Sequence, residues 1–276
     1  MSPFAHTVDP DDAVLHVDEK GSGPALVFLH GLGGSGVDFH PQLAAFSGSF
    51  RAIAPDARGC GRSRDRRPAG EPLSIPLLAR DLAALLVHLE ARPAHLVGWS
   101  MGGMIALQLA VDAPRLVSSL TLVNSGPDWI PKSALGRAMR PVSGAVATLL
   151  GPRLMARGFA PRLFPRPEQA DLRRRYVENM GRNDRATYAA LLDAILRWSV
   201  ADRLESITAP TLVVASDGDY ASSVADKAAW AGRMPNARLH VVEDARHALP
   251  LEAPLRLTEI LHAFLSAQTS TEAAIS

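Results

Sequence analysis

The 276-residue chain predicts an α/β fold, a mostly parallel sheet flanked by helices and interrupted by one helical insertion. Three observations carry this prediction. Short apolar runs alternate with segments of helical periodicity over most of the length, which is how βαβ units read in a sequence. Hydrophobic residues make up 47% of the chain and charged ones 21%, enough apolar material for a sizeable core. Between Pro127 and Thr208 the strand signals vanish, so the alternation is broken once.

Phe4 to Val8 and Ala13 to Val17, separated by the turn-prone Asp-Pro-Asp-Asp, predict an antiparallel hairpin at one edge of the sheet. Ala25 to His30, Arg51 to Pro55 and Ala94 to Trp99 follow as strands, and after them Ser118 to Asn124, Thr211 to Ser216 and Arg238 to Val242. Each is a short apolar run bounded by Gly, Pro, Asp or Asn, the pattern of strands covered on both faces. Leu78, Leu82, Leu85, Leu86 and Leu89 recur at helical spacing, as do Ile105, Leu107, Leu109 and Ala110, and these predict covering helices. Pro254 to Ala267 predicts a closing helix, and the polar tail beyond it is expected to fray.

The interruption divides the chain into a core, residues 1–127 and 208–276, and a helical cap, residues 128–207. Residues 129–206 hold 14 basic and 7 acidic side chains, a net of +7 that leaves −6 for the rest. Six of the 15 aromatic residues lie there: Trp129, Phe159, Phe164, Tyr176, Tyr188 and Trp198. Most are expected to form the cap's own small core, with one or two lining a pocket. Its basic surplus reads first as a solvated face; the sharper reading is a preference for carboxylate-bearing substrates or an acidic carrier protein.

A net charge of +1 over the whole chain argues against a nucleic-acid partner. One cysteine, Cys60, excludes an intramolecular disulfide framework and any multi-thiolate metal site. No metal-ligand spacing and no phosphate-binding P-loop appear, so neither metal nor cofactor is expected. The N-terminus has neither the basic nor the apolar region of a secretory signal, and no apolar run is long enough to span a bilayer, so the expected setting is cytoplasmic. Oligomeric state is left open.

The chemistry is carried by Gly98-Trp99-Ser100-Met101-Gly102, a G-x-S-x-G pattern between a predicted strand and a predicted helix. Glycines on both sides permit a tight strand-to-helix turn that strains the serine backbone and exposes its hydroxyl above the sheet. A serine hydroxyl is a poor nucleophile at neutral pH, so this reading needs a histidine base and an acid to orient it. Both follow in order. Asp217 and Asp219 come after the strand Thr211 to Ser216, and His247 comes after the strand Arg238 to Val242, where open parallel sheets gather their ligands. His30-Gly31-Leu32-Gly33-Gly34 follows another strand and can present the Leu32 amide opposite that of Met101, two donors for an oxyanion.

With these motifs the sequence resembles the α/β-hydrolase fold family from about Val14 to Leu265, the cap excepted. Asp56-Ala57-Arg58-Gly59-Cys60-Gly61-Arg62-Ser63 resembles the family's D-x-R-G-x-G-x-S loop. The resemblance implies that the acid closes the run starting at Pro210, which favours Asp219, although Ser216 stands where glycine is usual and keeps Asp217 in view. It also implies that His247 is the terminal histidine and that His30 buttresses the oxyanion loop. The implied activity is that of a serine carboxylesterase acting on a small or medium ester through an acyl-enzyme. Lactonase, carbon-carbon bond hydrolase, thioesterase and cofactor-free perhydrolase chemistry share the same triad, and a non-turnover ligand receptor retaining it is the non-enzymatic alternative.

Several features have plainer readings. Gly31, Gly33 and Gly36 also satisfy a dinucleotide-binding G-x-G-x-x-G, with Asp56 ending the next strand, but that reading leaves Ser100, Asp219 and His247 unexplained. His6, His16, His40, His88, His95, His240 and His262 carry no motif and are expected at the surface or at caps. Trp99 and Met101 are expected to pack, and Cys60 to behave as a small buried hydrophobe.

Overall fold

The computed structural model describes residues 4–8, 12–68, 70–129 and 140–275. Its strands are β1 (Phe4–Val8), β2 (Ala13–Lys20), β3 (Ala25–Leu29), β4 (Arg51–Pro55), β5 (Arg64–Asp65), β6 (Ala94–Trp99), β7 (Val117–Val123), β8 (Thr211–Ser216) and β9 (Ala237–Val242). Eight of them form one sheet in the order β1-β2-β4-β3-β6-β7-β8-β9, and the two-residue β5 pairs with the start of β2. From β4 to β9 all neighbours are parallel, while β2 runs antiparallel to both β1 and β4. The predicted edge hairpin therefore forms, although its turn at residues 9–11 lies outside the described residues.

The helices are α1 (His40–Phe46), α2 (Ile75–His88), α3 (Met101–Asp112), α4 (Arg140–Leu163), α5 (Ala170–Met180), α6 (Arg185–Arg197), α7 (Val224–Ala231), α8 (Leu249–Glu252) and α9 (Pro254–Ile275). β3, β6 and β8 are buried at every position because helices cover both faces of the sheet. On one face Leu78, Leu82 and Leu85 of α2 meet Ile105 and Leu109 of α3; on the other, Phe39 and Phe46 pack with Leu257, Leu261 and Phe264 of α9. Helix α3 is buried from Met101 to Ala110, which is why its sequence is apolar all round rather than on one stripe. Side-chain caps start α2 at Ser74, α6 at Asp184 and α7 at Ser223. Helix α4 is broken where Gly151 takes a φ of 74° just before Pro152.

Three expectations need correction. Strand β2 continues to Lys20 rather than ending at Val17, because its polar end pairs with β4 from Val17–Pro55 to Lys20–Ala52. Asp18 is buried there, and Arg62, His40 and His16 bind its carboxylate. Burial alone would raise that carboxyl, but these hydrogen bonds outweigh it and hold Asp18 well below the usual range. His16 and His40 are thus hydrogen-bond partners of a buried carboxylate, and His95 is a core residue bonded to Ser119 Oγ at 2.8 Å, not a surface one. The closing helix also runs on to Ile275, where a frayed tail was expected.

Candidate active site

Ser100 stands between β6 and α3 with φ 53° and ψ −115°, a conformation that costs an L-residue strain. The surrounding backbone leaves no alternative to glycine. A Cβ at Gly102 would overlap the Leu29 carbonyl, and one at Gly98 would overlap the α3 backbone. The strained turn lifts Ser100 Oγ above the C-terminal edge of the sheet, at the N-terminus of α3.

His247 and Asp219 arrive from the loops after β9 and β8. Ser100 Oγ lies 3.1 Å from His247 Nε2, and His247 Nδ1 lies 2.8 Å from Asp219 Oδ1. A carboxylate can only accept, so Nδ1–H is the donor and Nε2 is left with its lone pair facing the serine. The Asp219 side chain is fully buried, and its Oδ1 also accepts the Ala221 N–H. Burial pushes its carboxyl up, yet the hydrogen bond and charge of His247 and the charge of Lys227 outweigh that and hold it below the ordinary aspartate value.

Asp217, the other acid in view, is turned away. Its carboxylate accepts the Asp244 and Ala245 amides, and those bonds, offset only in part by burial, hold it below the usual value at an exposed position. Ser216, where glycine was expected, donates its amide to Asn124 Oδ1 and accepts Asn124 Nδ2–H on its hydroxyl.

The Leu32 and Met101 amides donate to no described acceptor. Gly31 passes so close that a Cβ on it would lie 3.5 Å from Ser100 Cβ, which brings the His30–Gly34 loop against the serine. His30 fixes that loop: its Nε2 accepts the Ala57 N–H at 2.9 Å, so Nδ1–H must be the group that donates to the Gly31 carbonyl at 2.8 Å. Gly33 adopts φ 71°, and its carbonyl accepts Asn183 Nδ2–H from the segment between α5 and α6.

Four residues matter here that carry no local motif. Asn124, at φ 45°, donates Nδ2–H to the Arg246 and His247 carbonyls, and Trp99 Nε1–H also reaches the His247 carbonyl. Asn183 holds the loop at Gly33 as described above. Tyr220 lies with its ring 5.1 Å from the His247 ring and stacked on Phe159, its hydroxyl pushed up to about 12 by burial. Lys227 contacts Asp219 from inside the core. Only the asparagine after β7 had a sequence signal, as a residue type that tolerates left-handed backbone.

Two cavities meet at Ser100, His247 and Trp129. The smaller, about 120 Å³, lies between the sheet and the helical segment and is walled by Met155, Phe159, Leu163, Tyr188, Leu192 and Tyr220. The larger, about 590 Å³, runs beside Asn124 toward Trp230 and Arg233. None of the described basic side chains of residues 129–206 lines either one; Arg153, Arg157, Arg173 and Arg174 instead line an outer groove. Lys132 and Arg137 lie outside the described residues. Cys60 is fully buried and its thiol is pushed up to about 12, chiefly by desolvation, so it is not a reagent. Among the described residues no group of three or more His, Cys, Asp or Glu side chains could hold a metal ion, and no helix is long and apolar enough to cross a membrane.

The sequence profile of the alpha/beta hydrolase fold family matches residues 24–254. A Variovorax paradoxus protein provisionally named carbamate hydrolase RutD is 32% identical over 242 residues, which cover 85% of this chain and 89% of that protein. The pimeloyl-[acyl-carrier protein] methyl ester esterase of Aeromonas hydrophila is 30% identical, covering 91% and 99%. Among solved structures, the enol-lactonase of Burkholderia xenovorans superimposes with a TM-score of 0.86 at 25% identity, covering 95% of this chain and all of that one.

Proposed function

The chain belongs to the α/β-hydrolase fold family, and from that membership we propose that it is a serine hydrolase that cleaves a small to medium carboxylic ester. Ser100 Oγ attacks the ester carbonyl while His247 Nε2 takes its proton. Asp219 orients the ring and stabilises its cation, and the Leu32 and Met101 amides receive the oxyanion. His247 then returns the proton to the departing alcohol, leaving an acyl group on Ser100. Water activated by the same imidazole releases the acid and regenerates the serine. The observation that carries this reading is the continuous Ser100–His247–Asp219 relay, 3.1 and 2.8 Å, at a serine strained into exposure.

Residues 128–207 act in this reading as a cap over the triad. The apolar walls of the smaller cavity favour a short or compact apolar group on one side of the ester bond, and the larger cavity accommodates the rest. A cytoplasmic setting belongs to the same reading, since lone, buried Cys60 asks for no oxidising compartment. A second reading, lactone hydrolysis, is favoured by the likeness to an enol-lactonase over almost the whole of both chains.

Labelling with a fluorophosphonate followed by peptide mapping tests the nucleophile; modification at Ser100 is expected, and labelling elsewhere rejects the assignment. A panel of p-nitrophenyl esters and lactones separates the two readings by relative kcat/KM. Activity on the esters is expected to fall as the acyl chain outgrows the smaller cavity.

A further inference from the structure

Lys227 is one of three lysines in the chain, and in α7 its side chain is fully buried. Its Nζ lies 2.5 Å from Asp219 Oδ2 and 2.8 Å from the Ser222 carbonyl. The Asp219 carboxylate is therefore held from three directions: Lys227 on Oδ2, and the Ala221 amide and His247 ring on Oδ1. An orienting carboxylate needs only the ring and one backbone donor to be fixed in place. A buried cation on its other oxygen does something further, because it offsets the charge that the imidazolium would otherwise feel.

We propose that Lys227 is a positioning residue that screens Asp219, so that His247 remains an unprotonated base at mildly acidic pH. The inference rests on the serine-hydrolase reading of the same site. In the resting state the Lys227–Asp219 pair presents no net charge to the ring. When the Ser100 proton reaches Nε2, Asp219 still partners the ring through Oδ1, and the oxyanion at Leu32 and Met101 completes the balance of the new positive charge, which a bare carboxylate would favour even without substrate. Without the ammonium, Asp219 would favour the imidazolium before substrate arrives, and a protonated ring cannot accept the serine proton.

Other charged or titratable groups surround His247: Tyr220 and Asp217 after β8, Asp244 and Arg246 on its own loop, Glu252 on α8 and Asp226 on α7. Asp217 and Glu252 are occupied by the amides of Asp244, Ala245 and Arg246, and Asp226 by Ser223. All of them are retained when only position 227 changes, so a difference between variants reports Lys227.

The test is the pH dependence of kcat/KM on a p-nitrophenyl ester whose cleavage S100A abolishes. Lys227→Gln and Lys227→Met are expected to move the acidic limb upward by about one pH unit, about a tenfold loss on the acid side, whatever happens to the plateau. Lys227→Arg, which keeps the charge, is expected to leave the limb where the wild type has it. A limb unmoved in both neutral variants, or moved equally in Lys227→Arg, overturns the proposal. Should the neutral variants not fold, the wild type decides: a limb centred above about pH 6.5, the ordinary imidazole range, overturns it, and one at or below that value supports it. If S100A retains wild-type hydrolysis, the serine-hydrolase reading itself fails; an inert S100A with an unmoved limb fails only the role of Lys227.

Discussion

Two buried cations follow different strands of this sheet, Arg58 after β4 and Lys227 after β8, and their surroundings differ in one respect. Arg58 spends all five N–H donors inside its own cluster, on the Asp81 and Asp65 carboxylates and on the carboxylate and carbonyl of Asp12. Its hydrogen bonds to Asp81 push its guanidinium up against the opposing effect of burial. That cluster ties the turn before β2, strand β5 and helix α2 together and has nothing left to give. Lys227 instead neutralises a carboxylate whose other oxygen is handed on to a histidine and, through it, to a serine facing open space. A closed cluster of this kind holds parts of the fold in place; an open one passes its charge to a reactive atom.

The contrast breaks most sharply at Ser100. Replacing it with Ala should lower kcat/KM by about 10⁴-fold or more while circular dichroism and the thermal midpoint stay as in the wild type. Asp219→Asn should come next, with a loss of about 10³–10⁴-fold, because the ring loses its tautomer and its cation loses its partner. Asp217→Asn should change kcat/KM by less than about threefold, and the reverse ranking of these two carboxylates in a steady-state assay would reassign the acid.

At the closed cluster the expected losses are in stability. Arg58→Met strands the buried Asp81 carboxylate and should cost about 3–5 kcal/mol in denaturant unfolding, with turnover per folded molecule nearly retained. Asp65 gives this a pH signature. Burial raises its carboxyl, but hydrogen bonds from Arg67 and Arg58 win and bring it from 3.8 to about 2. Its contribution is therefore present above pH 3.8 and is lost as pH falls toward 2, so the gap between wild type and Arg58→Met should narrow over that window. A gap that widens would mean the cluster does not stabilise the charged carboxylate.

Asn124→Ala sharpens the comparison from the open side. It removes donors from the Arg246 and His247 carbonyls and should cost about 1–3 kcal/mol together with about a tenfold fall in kcat. The smallest effect is at Cys60: native protein at pH 8 should resist iodoacetamide and become alkylated only after unfolding, as followed by intact mass.

Much of this was legible in the chain because the physics is local. Ser100 is marked by glycines that a tight turn requires within two residues, the strands by unbroken apolar runs, and Asp219 and His247 by following such runs. Asn124, Asn183 and Lys227 carried no such mark. Asn124 and Asn183 act on groups that the chain reaches only by crossing from one loop to another, as Asn124 does over 92 residues to Ser216, while Lys227 acts on an acid eight residues back with no spacing rule to announce the contact. His95 reads as a surface residue for the same reason: a polar side chain reads as exposed until its buried partner is known.

The sequence by itself determined the layered α/β architecture and the kind of chemistry at one edge of the sheet, since periodicity and turn sterics are properties of neighbouring residues. The tertiary structure alone decided which of two aspartates faces His247, which way the described arginines of residues 129–206 point, and that a lysine is buried behind Asp219. Those are matters of distance and dielectric between side chains in the folded molecule, and only packing sets them.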